Sequence, residues 1–197
     1  MDENNLPAEN KLPDIEPEKN DNSVRAETYS MLQDVVKVVL ICVLLFSFFI
    51  RLVGVVGSSM VPTLHDGDFL ITSRLFYTPQ QGDVVVLRKD TFDSRAIVKR
   101  VIALEGQTVD IDFDAGVVYV DGVALQEDYV NAPTLRRLDF NGEITVPEGC
   151  IFVLGDNRNE SADSRSQYLG CVDTRYVIGR ALVVLLPFRD MKLLQRP

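Results

Sequence analysis

Residues 96–111 read AIVKRVIALEGQTVDI. A run dense in Val, Ile, Ala and Leu is broken by the polar Glu105-Gly106-Gln107 and then resumes, which is the pattern of a strand, a turn and a second strand. Within AIVKRVIAL the period of two puts Ile97, Lys99 and Val101 on one face and Val98 with Arg100 on the other. A lysine is thereby aligned with aliphatic neighbours. Holding it there uncharged, with its pKa two to three units below the usual value of about 10.4, costs roughly 3 to 4 kcal/mol, so a rigid β framework is required around it.

The same texture continues on both sides of this stretch. DFLITSRLF (68–76), DVVVLRK (83–89), GVVYVDG (116–122), CIFVLGD (150–156) and GRALVVLLPF (179–188) are short Val- and Ile-rich runs bounded by Gly-Asp, Asp-Gly and Pro-Glu-Gly punctuation. Residues 53–197 are therefore expected to form a mainly β domain, an antiparallel β-sheet framework. Residues 121–147 are more polar and loop-like and are expected to be a small inserted segment of that framework. No repeat of fixed period is visible.

The N-terminal part differs. Residues 1–30 carry three basic and eight acidic side chains, three prolines and no apolar cluster, and are expected to be a disordered acidic tail. Val35 to Val56 is then a run of 22 positions whose only charges, Lys37 and Arg51, lie near its ends. As a helix it would reach about 33 Å against a bilayer core of about 30 Å, so one transmembrane helix is expected over 31–52, with the two basic side chains snorkelling outward. The acidic tail gives no positive-inside signal, and charge alone does not orient the chain.

Across all 197 residues, 20 Lys and Arg stand against 29 Asp and Glu, a net charge of −9. No basic footprint for nucleic acid is present. One His and three Cys, none spaced as C-x-x-C, are too few ligands for a zinc site. Asp110, Asp112 and Asp114 imitate the start of a calcium loop, but Ala115 stands where the turn glycine belongs and Asp121 where a bidentate Glu belongs. Alternation of Val109, Ile111 and Phe113 with these acids instead fits a strand entering a hairpin at Ala115-Gly116. His65, in LHDGD, reads as a solvated turn residue. A hydrolytic nucleophile in this chain would need another base, and a desolvated lysine can serve. The candidate hydroxyls lie in GSSMVPTLHDGD (57–68).

The segments GSSMVPTL, GDVVVLR, KRVIALEGQTV and GDNRNESADSR resemble, in order and approximate spacing, the signature boxes of bacterial type I signal peptidases, membrane-anchored Ser-Lys endopeptidases. The resemblance runs from about Val53 to Leu186, and includes the anchor. It implies Ser59 as nucleophile and Lys99 as general base, with Ser161 orienting the amine and Asp163 and Arg165 forming a supporting ion pair. It further implies that Met60, Leu64 and Val98 line shallow apolar pockets for small side chains. Asp156, Asn157 and Arg158 fall in the same box and are expected to hold the loop. The implied activity is cleavage of signal peptides from exported preproteins after small residues, at A-x-A sites, without metal or organic cofactor. The implied partners are those signal peptides and the lipid bilayer, with the N-terminus cytoplasmic and the catalytic domain on the outer face of the cell membrane.

Departures from the pattern matter as well. Gly57 stands where some members carry a second oxyanion-stabilising Ser, leaving the Ser59 backbone N–H for that task. Ser58 is a rival hydroxyl beside the nucleophile. Ser59 lies eight residues beyond Arg51, within roughly 27 Å of the expected helix end even in a fully extended link. Cys150 and Cys171 flank the GDNRNESADSR box, and whether they form a bridge that pins it is open. Two other classes fit fewer features: a self-cleaving Ser-Lys regulator, which calls for a DNA-binding module, and a non-catalytic membrane scaffold.

Overall fold

The computed structural model describes residues 21–197, with backbone alone for 21–24 and 45–49. The chain divides into two compact units, residues 1–45 and 46–197. Helix α1 spans Asp21–Phe49. The expected disordered tail is corrected over 21–30, which are helical; Ala26, Glu27 and Met31 favour helix. The remainder of that tail, 1–20, lies outside the described residues. Apolar side chains from Val35 to Leu44 are exposed. Among the described residues no helix is long and apolar enough to cross a membrane.

The expected helix over 31–52 also ends too late, because Ile50–Gly54 is strand β1. It pairs antiparallel with β2 (Phe69–Ser73), from Ile50 opposite Ser73 to Gly54 opposite Phe69. Five residues of β-compatible character thus satisfy their backbone groups in a sheet, and tertiary pairing overrides the apolar run.

The strands that follow are β3 (Val84–Leu87), β4 (Ile97–Leu104), β5 (Thr108–Asp112), β6 (Val117–Val120), β7 (Val123–Ala124), β8 (Ile144–Thr145), β9 (Cys150–Leu154), β10 (Val172–Asp173), β11 (Val177–Leu186) and β12 (Lys192–Leu193). The larger sheet has the order β1-β2-β11-β3-β4-β9-β10, with β12 on β11, and every pairing is antiparallel. A smaller antiparallel sheet has the order β7-β6-β5-β8.

The inserted segment is therefore larger than 121–147. It begins at Thr108, because the β5–β6 hairpin pairs only within the small sheet and turns its Val109, Ile111, Val118 and Val120 onto Phe140, Val146 and Phe152. Periodicity shows that 108–120 is β, but not which sheet it joins. The Asp112 side chain accepts from the N–H groups of Asp114 and Ala115, which accounts for DIDFDAG as a hairpin turn.

Strand β4 is central in the larger sheet, and its interior residues are buried on both faces. Val98 belongs to a core with Met60, Leu64, Leu70 and Val86, whereas Val101 packs with Val85, Leu87, Val153 and Leu169. Lys99 sits between them, opposite Val85.

Candidate active site

Ser59 lies in the loop joining β1 to β2. Backbone bonds Val55 N–H to Asp68 carbonyl (2.7 Å) and Gly67 N–H to Val55 carbonyl (3.0 Å) close the neck of that loop. Inside it, the Gly57 N–H donates to the Asp66 carboxylate at 2.7 Å, with Gly57 at φ +90, a conformation costly for any residue with a Cβ. Met60 and Leu64 anchor the loop in the core, at 1% and 0% exposure. The hydroxyl of Ser59 is thereby presented from a braced turn.

Lys99 reaches it from the middle of β4. Its Nζ is 2.7 Å from Ser59 Oγ, and the residue is only 3% exposed. Desolvation pushes the amine down from 10.5 to about 8, and Arg165 pushes the same way, against the carboxylates of Asp163 and Asp156. An amine that is partly unprotonated near neutral pH and bonded to a hydroxyl can take that hydroxyl's proton. Ser58 is exposed and Lys99 bonds its neighbour instead. His65 is an exposed turn residue whose backbone N–H donates to Asp68.

The loop after β9 presses on the Ser59 turn from the other side. Asn157 N–H donates to the Ser59 carbonyl (3.0 Å), and its Nδ2 donates to the Ser58 carbonyl (3.1 Å). Asn131 Nδ2 in turn donates to Asn157 Oδ1 at 2.9 Å. A Cβ on Gly155 would stand 2.3 Å from Ser161 Oγ and 2.5 Å from the Ser59 carbonyl oxygen, so this crossing admits only glycine. Ser161 is fully buried here, but its Oγ has no hydrogen-bond partner among the described residues, so the expected bond to Lys99 is not made.

Buried ion pairs hold the loop. Asp163 and Arg165, both 0% exposed, pair at 2.8 Å, and Asp163 also accepts the Gly155 N–H. Arg165 further donates to the carbonyls of Arg136, Arg158 and Ser161. Asp156 takes a two-pronged bond from Arg100, at 2.8 and 2.6 Å, and accepts from the Thr63 hydroxyl. Arg158 pairs with Glu127, and the guanidinium of Arg100 lies 4.1 Å from the Tyr129 ring centroid. Such charges are tolerated inside only because each is paired and bonded.

Several of these partners escape sequence reasoning. Asp156, Asn157 and Arg158 carried a motif signal, but Glu127, Tyr129 and Asn131, from the inserted segment, carried none. The expected pocket residues Met60, Leu64 and Val98 are all buried, Val98 at 7% exposure, and belong to one core cluster. Cys150 and Cys171 are both free thiols. Val172 opposite Ile151 and Asp173 opposite Cys150 set them on a diagonal rather than facing each other. Burial raises both thiol pKa values, Cys171 to about 11.

A family model described as "Signal peptidase, peptidase S26" matches residues 9–186. The chain belongs to this family. It is 40% identical over 161 residues to a probable signal peptidase I-1 of Synechocystis sp., covering 76% of this chain and 79% of that protein. A signal peptidase I of Bacillus licheniformis is 31% identical over 185 residues, 89% of this chain and 97% of that protein. A crystal structure of a signal peptidase I from Enterococcus faecalis, at 33% identity, covers 53% of this chain and 97% of that chain with a TM-score of 0.45. As a member of the signal peptidase family the chain is an endopeptidase of the serine class.

Proposed function

We propose that Ser59 and Lys99 are the nucleophile and general base with which this signal peptidase cleaves exported preproteins after small residues, at A-x-A sites. One observation carries the proposal: a buried amine held near 8 lies 2.7 Å from a serine hydroxyl. Ser59 Oγ attacks the scissile carbonyl carbon while Lys99 accepts its proton. The amine then returns that proton to the leaving nitrogen as the peptide C–N bond breaks and an ester remains on Ser59. Water activated by the same amine hydrolyses the ester.

The Ser59 N–H donates to no group among the described residues, which leaves it for the oxyanion. Asp163 and Arg165 support the loop, and Ser161 supplies a hydroxyl beside it. Val98, Met60 and Leu64, neighbours in one core cluster, are the residues that meet the small side chain in this reading. The residues present provide base, nucleophile and an oxyanion donor, so no cofactor enters the reading.

Membrane attachment belongs to the same proposal. The apolar run of the sequence lies in α1, in β1 and in the two residues after it, and the apolar side chains of α1 from Val35 to Leu44 are exposed. In the β domain, Leu52, Val56, Phe69, Phe188 and Leu193 are exposed. These features support a bilayer anchor; placing the catalytic domain on the outer face, where a signal peptide's cut site emerges, follows from the family resemblance.

Two measurements test the site. Ser59→Ala should lower cleavage of an A-x-A reporter by about a thousandfold or more, and cleavage near the wild-type rate would end the proposal. Gly155→Ala should displace the Ser59 carbonyl by several tenths of an ångström, with kcat falling about a hundredfold and KM little changed. An unaltered kcat would show that the crossing does not position Ser59.

A further inference from the structure

Four arginines from four separate segments, with the single carboxylate Asp90, line one cavity of about 280 Å³ on the β domain, distinct from the Ser59 site. Arg51 comes from β1, and its strand partner Thr72 places Arg74, two residues further on, beside it. Arg88 follows β3, and its N–H donates to the Tyr176 carbonyl at 3.0 Å, which draws in the turn bearing Arg175. Arg88 is paired with Asp90 and Arg175 with Asp173, at 2.8 and 2.7 Å. The side chains of Arg51 and Arg74 have neither an ion pair nor a hydrogen bond among the described residues.

That arrangement is unexpected in a chain of net charge −9 with 29 carboxylates to draw on. Four guanidinium groups around one small space repel one another, and two are uncompensated, so the cavity is complementary to an anion. Guanidinium forks match the geometry of phosphate oxygens. Exposed apolar side chains lie nearby in the chain: Leu75 at 45% and Phe76 at 97% follow Arg74, while Leu52, at 57%, follows Arg51 on the opposite face of the sheet. Arg51 stands two residues beyond Phe49, the last residue of α1. Basic groups followed closely in the chain by exposed apolar side chains such as Leu75 and Phe76 suit the boundary between headgroups and acyl chains.

We propose that this cavity binds the phosphodiester of an anionic phospholipid, with Arg51 and Arg74 as its principal ligands. The lipid as the source of the phosphate rests on the membrane attachment proposed above; the anion preference rests on the arginines alone.

The test uses the full chain in micelles of an uncharged detergent, titrated into tail-labelled phosphatidylglycerol or phosphatidylcholine and followed by fluorescence anisotropy. Saturable binding of phosphatidylglycerol, at least tenfold tighter than phosphatidylcholine, is expected. The double variant Arg51→Gln/Arg74→Gln should weaken it by about tenfold or more, with an unfolding midpoint close to wild type. Equal affinity for the two lipids, or full affinity in the folded double variant, would overturn the proposal. Displacement by millimolar inorganic phosphate would also overturn it, by showing a site for free anions. Cleavage of the A-x-A reporter by the wild-type chain is scored separately, so a failure of lipid selection is not confused with a failure of the proposed catalysis.

Discussion

Lys99→Met is expected to abolish cleavage and at the same time make the protein more stable at neutral pH. The activity loss should be about 10⁴-fold, the upper range for removing a general base. The stability gain has the opposite origin. Lys99 titrates at 10.5 when unfolded and about 8 when folded, so burial disfavours the protonated fold. Below pH 8 both states are protonated and the penalty is complete, on the order of 3 kcal/mol. Between pH 8 and 10.5 the unfolded chain holds more proton than the folded one, stability rises with pH, and the advantage of methionine fades. Denaturant unfolding of both proteins at pH 7 and pH 10 reads this directly. A variant less stable than wild type at pH 7 would contradict a strained, desolvated lysine. In the wild type the same shift predicts a cleavage rate that falls about tenfold per pH unit below 8 and levels above it.

Asp163→Asn should give the second large effect, in both stability and pH profile. Removing the carboxylate leaves the guanidinium of Arg165, itself 0% exposed, without its ion-pair partner. The expected loss is about 3 kcal/mol, at the low end for a broken buried pair because three backbone carbonyls still accept from Arg165. The Asp163 charge also favours the protonated Lys99 amine, while Arg165 disfavours it. Its removal therefore lowers the Lys99 pKa further below 8, and the acid limb of the cleavage profile, scaled to its own plateau, moves to lower pH. A limb that stays in place or moves upward would separate this ion pair from the amine. Double-mutant comparison with Lys99→Met distinguishes the two contributions to stability.

The alternation of AIVKRVIAL already aligned Lys99 with Ile97 and Val101, and that alignment survives because β4 is a central strand with both faces covered. The GSSMVPTL and GDNRNESADSR segments pointed to both sides of the proposed site only through their resemblance to the signature boxes of the family. What alternation could not reveal was the distance between them. Ser59 and Lys99 are 40 residues apart, and Arg100 and Asp156 are 56 apart. The glycine-only crossing at Gly155 is equally invisible, since it depends on the Ser59 carbonyl arriving from another loop.

The misplaced boundaries share one cause. Ile50–Gly54 is apolar enough for a helix end and β-branched enough for a strand, and the pairing with β2 decides between them. The β5–β6 hairpin was legible as β, but its partners in the small sheet, β7 and β8, are strands of two residues with almost no local signal. Local sequence determined strand character, turn positions and the residue types available for proton transfer, because those are properties of neighbours along the chain. Sheet membership, the reach of Lys99 to Ser59 and the depth of its desolvation were decided by tertiary structure, because each is set by groups that only folding brings within a few ångströms.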